Sequence, residues 1–180
     1  MTRQWHLRLV VIIGISACLH ADQQPAPDIH VYFSPHGGCT EAVVNAVQGA
    51  QKQILVEAYS FTSKPIAIAL IEAKRRGVDV EVILDKSQET AKGSNANLIC
   101  KSGIPTFIDS AYRIAHDKVM IIDRARVITG SFNFTRSAEE YNAENMLVIS
   151  DALPLTNQYT ANWKKHLAQS KQYHPRQHTN

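Results

Sequence analysis

Residues 114–135 read IAHDKVMIIDRARVITGSFNFT. Two β-branched apolar runs, Val119–Ile122 and Val127–Thr129, flank a polar turn at Arg124–Ala125, the pattern of an antiparallel hairpin. Side chains alternate across a strand, so His116, Lys118, Met120 and Ile122 share one face and Asp117, Val119, Ile121 and Asp123 the other. Beyond the second run, Ser131 and Asn133 share a face, with Phe132 and Phe134 on the opposite, packing side. Pairing the two strands carries His116, Lys118, Ser131 and Asn133 to one end of a sheet. Four polar groups in register on a core hairpin are costly unless they do something.

Outward from the hairpin, the chain alternates strands and helices. IHVYFS (29–34) and QILVEAYSF (53–61) read as strands around a helix that Thr40 caps, with apolar positions at Ala42, Val43, Ala46, Val47 and Ala50. Ser63 caps a second helix, with Pro65 in its first turn and Gly77 as its stop. VDVEVIL (78–84) is a third strand, followed by a polar loop, a short helix ending at Gly103 and the strand IPTFI (104–108). After the hairpin come a strand at 144–150 and a closing helix to residue 170. The βαβαβ opening predicts an α/β fold: a mixed, mostly parallel β-sheet covered by helices on both faces. One catalytic domain over 29–170 is expected, after a Pro-containing linker at 22–28 and before a flexible tail at 171–180. No internal repeat, dinucleotide-binding glycine pattern or phosphate loop is present.

Residues 1–21 read as an export signal: Arg3 and Arg8 without acids, then the apolar run LVVIIGISACL, too short to span a bilayer, then small residues to Ala21. A second option is lipidation of Cys18, because ISAC resembles a bacterial lipoprotein cleavage box. The protein is thus expected to be periplasmic or secreted. Removing residues 1–21 takes the formal charge from +3 to about +1, so bulk charge gives no argument for a polyanionic partner. Cys39 and Cys100 are then an isolated pair in an oxidising compartment, and a disulfide between them is expected.

The hairpin's polar groups suit attack at phosphorus. A neutral imidazole is a nucleophile or proton carrier near neutral pH. An ammonium, a hydroxyl and a carboxamide neutralise and hold phosphate oxygens. No carboxylate pair or His/Cys cluster with metal-ligand spacing stands out, so neither a metal nor another cofactor is expected. Asp123 points away from His116 by strand parity and reads as a turn or scaffold residue. Glu57 and Asp85 end strands, where solvated carboxylates are the commoner reading. His30, His36, His166, His174 and His178 lack motif partners and read as surface residues. Lys86 and Lys92, in the loop after the third strand, are in position for phosphate contacts.

The same residues match H-x-K-x4-D followed by G-S-x-N: His116, Lys118, Asp123, Gly130, Ser131 and Asn133, with Glu144 downstream. This resembles the phospholipase D superfamily, and within it the small exported bacterial endonucleases of the Nuc type that carry one motif per chain. VYFSP, EAYSFTS, AKRRGVDVEVILD and GIP extend the likeness over most of residues 29–170. The resemblance implies a catalytic set of His116, Lys118, Asp123, Ser131, Asn133 and Glu144. His116 would be the nucleophile that forms a phosphohistidine, and Lys118, Ser131 and Asn133 would bind the substrate phosphate. Glu144 would orient an imidazole through its second nitrogen. A second motif histidine would protonate the leaving oxygen. With one motif per chain, that histidine implies a homodimer with a composite active site. The implied substrate is nucleic acid, with DNA favoured; a phospholipid headgroup is the alternative, and a catalytically silent nucleic-acid-binding or adhesin module a third reading.

Overall fold

The computed structural model describes residues 26–175. The export signal, Cys18 and the start of the linker lie outside the described residues. In chain order the elements are β1 (Asp28–Ser34), α1 (Cys39–Gln48), β2 (Gln53–Ala58), α2 (Lys64–Arg75), β3 (Asp79–Asp85), α3 (Ala96–Lys101), β4 (Thr106–Asp109), β5 (Lys118–Ile122), β6 (Arg126–Gly130), α4 (Arg136–Glu140), β7 (Glu144–Ser150), α5 (Leu153–Gln169) and β8 (Lys171–Gln172). They form an eight-stranded mixed sheet in the order β1-β7-β6-β5-β2-β3-β4-β8.

The two crossovers through α2 and α3 make β2, β3 and β4 parallel. The other five pairings are antiparallel, which corrects the expectation of a mostly parallel sheet. The physical reason lies in connection length. Parallel neighbours need a helical crossover, whereas the short turn after β5 forces β6 to return alongside it. β5 lies antiparallel to β2, with Ala58 opposite Lys118. The C-terminal ends of β2, β3 and β4 therefore share an edge of the sheet with the start of β5 and the end of β6.

Helices cover both faces. On one face α1 and α2 bury the larger core, with Val43, Val47, Ile54, Val56, Leu70, Met120, Phe132 and Phe134 among its members. On the other, α5 covers a smaller cluster of Leu55, Ile83, Val119, Ile121 and Trp163. Trp163 is anchored by its indole N–H, which donates to the Val56 carbonyl at 3.0 Å.

Three local expectations are corrected. Thr40 does not cap α1: the N-cap is Gly38, and the Glu139 carboxylate of α4 accepts from the Gly38 and Thr40 amides at 3.1 and 2.6 Å. An acid at a helix N-terminus satisfies free amides and meets the helix dipole, so a residue remote in sequence performs the capping. Residues 171–173 are not loose. Lys171 and Gln172 pair with β4 and Tyr173 is buried, because the edge of β4 offers unpaired backbone groups. Cys39 and Cys100 form no disulfide. Cys39 is a buried free thiol at the start of α1, and Cys100, half-buried on α3, lies 3.6 Å from the Tyr173 carbonyl.

Candidate active site

β5 begins at Lys118 because the backbone before it is held from two sides. The Tyr59 amide donates to the Asp117 carbonyl at 2.8 Å, and the Ala115 amide donates to the Asp85 carboxylate at 2.8 Å. His116 therefore projects from a fixed segment at the sheet edge. Its ring is exposed and stands 4.4 Å, centroid to centroid, from the Tyr59 ring. Lys118 is buried, its Nζ 2.9 Å from His116 Nδ1 and 5.1 Å from the centre of the Tyr59 ring. It also donates to the His116 carbonyl. Burial lowers the Lys118 pKa from its ordinary value, and the charges of Asp117 and Glu144 offset part of that shift.

Ser131 and Asn133 follow β6 at the same edge. Ser131 Oγ donates to Glu144 Oε2 at 2.6 Å and accepts from the Asn145 amide at 3.1 Å. Asn142 Nδ2 donates to Glu144 Oε1 at 3.1 Å. Within the chain, Glu144 thus holds Ser131 and Asn142 rather than the His116 ring, whose Nδ1 is taken by Lys118. Asn133 Oδ1 is buried without a hydrogen-bond partner.

Asp123 lies at the far end of β5, so the fold separates it from the other motif residues. Its carboxylate accepts from the amides of Gln51, Lys52 and Gln53 at 2.8, 2.7 and 2.9 Å. Its inclusion in the catalytic set gives way to the scaffold role that strand parity indicated. Burial by itself would raise its pKa; the three amides, with the Lys52 charge, outweigh that and hold it below the ordinary value.

Other side chains depart from their sequence readings. Asp85 and Glu57 are buried, not solvated. Asp85 accepts from Ser87 and Ala115, so it positions the segment that leads into His116. Lys86 Nζ is bound to the Tyr112 carbonyl at 3.0 Å. His166 is buried rather than on the surface. On the α5 side of the sheet it meets Glu57, Asp109 and Asp117, which no sequence spacing reveals because four separate segments contribute. Glu57, Asp117 and His166 are the described residues that could hold a metal ion.

The comparisons with known proteins agree with this geometry. Residues 43–167 match the family model described as a cardiolipin synthase, PLD-like domain. The chain belongs to the phospholipase D-like family. It is 41% identical to a phospholipase D family member, Nuc from Salmonella typhimurium, whose crystal structure superposes with a TM-score of 0.79 over 82% of this chain and 99% of that one. It is 43% identical over 131 residues to a phospholipase D of Rickettsia bellii, covering 73% of this chain and 65% of that protein. It is 33% identical over 105 residues to a mitochondrial cardiolipin hydrolase of Xenopus laevis, covering 58% of this chain and 50% of that protein. The chain thus spans about two thirds or less of the length of these curated phospholipase D-like relatives.

Proposed function

We propose that this phospholipase D-like chain is an exported phosphodiesterase that hydrolyses nucleic-acid phosphodiesters through a phosphohistidine, without a metal at the reacting phosphate. The observation that carries the reading is the contact between the exposed His116 ring and the buried Lys118 ammonium, at the sheet edge that also holds Ser131 and Asn133. While Lys118 donates to Nδ1, the ring proton of neutral His116 sits on Nε2. A phosphate that draws the ammonium to its own oxygen releases Nδ1 to take that proton and frees the Nε2 lone pair. Nε2 then attacks phosphorus. The N–P bond forms as the P–O bond to the leaving oxygen breaks, and a second imidazolium gives that oxygen its proton. In the return step the second imidazole takes a proton from water, the hydroxyl oxygen bonds to phosphorus, and the N–P bond breaks.

The second imidazole is supplied by a second copy of the chain, because the sequence holds one H-x-K motif. A surface for that copy adjoins the site. On edge strand β1, Ile29, Val31 and Phe33 stand opposite Ile149, Leu147 and Asn145 and share their face of the sheet. That is the α5 side, but α5 does not reach them: their exposures are 55, 53 and 62%. This apolar stripe runs along β1 to Asn145, the residue that binds Ser131. A two-fold contact there would bring two sites together.

Hydrolysis of phospholipid headgroups is the second reading, supported by the names of the rickettsial and Xenopus relatives. An exposed His116, open to a phosphate within a long polymer, favours the nucleic acid. The deciding experiment compares purified protein on plasmid DNA, phosphatidylcholine vesicles and cardiolipin vesicles, in excess EDTA, with His116→Ala as the blank. Cleavage of the plasmid in EDTA, abolished by His116→Ala, is expected. Activity confined to vesicles would replace the substrate; complete loss in EDTA at an unchanged melting temperature, restored by a divalent ion, would overturn the proposed metal-free phosphate chemistry.

A further inference from the structure

Beneath the His116–Lys118 pair, on the α5 face, the fold concentrates charge where the smaller core should be apolar. Glu57 is opposite Val119 on β2, Asp109 ends β4, Asp117 lies between the two motif residues, and His166 comes down from α5. Glu57 is 3% exposed, Asp109 0% and His166 7%. His166 Nδ1 stands 2.7 Å from Asp109 Oδ2 and 2.9 Å from Glu57 Oε1. One ring N–H cannot serve both, and the hydrogen bond goes to Asp109, which also accepts from Gln169 Nε2 at 3.1 Å. Glu57 Oε1 is left buried without a hydrogen bond. A buried carboxylate oxygen in that state is costly, and three acids around one imidazole leave negative charge uncompensated.

We infer that Glu57, Asp117 and His166 form a site for a divalent transition-metal ion, with the Asp109 carboxylate beside it. One donor atom from each of the three lies within 4.8 Å of the others. Tetrahedral bonds of about 2.0–2.1 Å put donors roughly 3.4 Å apart, so side-chain rotations of about an ångström close the site without moving strands. Two carboxylates and an imidazole are donors that zinc and manganese accept. In the ion's absence, burial, then the charges of Asp117 and Asp109, push the Glu57 carboxyl up to about 8. The ion replaces the proton that Glu57 otherwise keeps. Binding through Nδ1 moves the ring proton to Nε2 and gives up the Nδ1–H bond to Asp109, whose carboxylate keeps the bond from Gln169 and leaves negative charge beside the ion. Asp117 is only half-buried, which leaves a route in from solvent.

The ion would sit across the sheet from the phosphate and would not touch it. Its effect is to pin Asp117, and through the Tyr59–Asp117 backbone bond the segment that carries His116 and Lys118. The inference does not depend on which phosphodiester the chain cleaves. The test is titration of tag-free, chelator-treated protein with Zn²⁺ alone, and separately with Mn²⁺, by calorimetry and thermal melting. One ion per chain and a raised melting temperature are expected for at least one metal. Glu57→Gln should weaken that affinity by at least about tenfold. Asp117→Asn, at a half-buried position, makes the same test if Glu57→Gln fails to fold. His116→Ala and the Cys39→Ser/Cys100→Ser double variant should bind as the wild type does, which separates this site from the nucleophile and the thiols. No heat and no shift in melting temperature with either metal, or affinity unchanged in Asp117→Asn, would overturn the site.

Discussion

His116 and Lys118 have adjacent places in one motif and opposite environments, which is what their chemistry asks of them. The exposed imidazole can meet a phosphate; the buried ammonium is desolvated and strengthens any charge it contacts. His116→Ala should abolish turnover with the melting temperature unchanged, since an exposed ring leaves no core cavity. Lys118→Ala should slow turnover by roughly 10²–10³-fold, the scale of a lost oxyanion donor. Asp123 belongs to stability instead. Its folded-state pKa is depressed, so its contribution is fully present above its unfolded value and is lost as pH falls through the folded value. Acid titration of the melting temperature should show that loss in the wild type, and Asp123→Ala should be destabilised at neutral pH with little further loss at acid pH. A stable but inactive Asp123→Ala would reverse the assignment. At Cys39, burial, then the Glu139 charge, pushes the thiol up to about 11. Alkylation of unfolded protein without reductant should label both Cys39 and Cys100, as read by peptide mapping.

At the scale of elements, the turn from β6 into the motif depends on Gly130. Its φ is 150°, and a Cβ there would come 2.3 Å from the Asn145 carbonyl oxygen and 2.9 Å from Met146 Cα. Both atoms are backbone of β7, so the only relief is to part β6 from β7. Gly130→Ala should therefore destabilise by more than about 2 kcal/mol and displace Ser131 and Asn145 together. Gly49, at the end of α1, makes the control: its φ is −76° and the nearest contacts of an added Cβ are 3.6 Å. Gly49→Ala should be neutral or slightly stabilising. Comparative thermal melts of the two variants check both statements. The glycine of G-S-x-N is thus a packing requirement that places the serine, independent of any direct contact with substrate.

At the scale of the whole molecule, the composite site is the proposal that most needs a direct test. In a composite site one His116 would act as nucleophile and its copy as general acid, so the pH–rate profile should be bell-shaped. Mixing is sharper. With wild-type and His116→Ala chains in equal amounts and random pairing, about a quarter of dimers keep both imidazoles. Activity should then be about half that of the same wild-type chains alone. Activity proportional to wild-type chains despite proven subunit mixing would reject the composite site. Phe33→Asp should shift the protein toward monomer by light scattering and lower activity with it, because Phe33 is the exposed apolar residue of the stripe nearest Asn145.

Local pattern carried much of this into the sequence. The 3.6- and 2-residue periodicities located most strands and helices to within a few residues, and the motif spacing named His116, Lys118, Ser131 and Asn133 because i and i+2 on a strand share a face. Asp123's scaffold role was readable from the same parity. What depends on contacts between distant segments was not readable. Strand order turned on which edge of β2 received β5, and no property of β5 itself states that. Glu139 capping α1 and β8 closing on β4 each join positions far apart in the chain, and that Cys39 and Cys100 stay separate free thiols depends on where α1 and α3 settle. His166 and Glu57 lie over a hundred residues apart, and each alone reads as a solvated polar residue. Only the packing of α5 over β2 makes them neighbours, and burial then turns two ordinary side chains into a charged cluster that requires a proton or an ion.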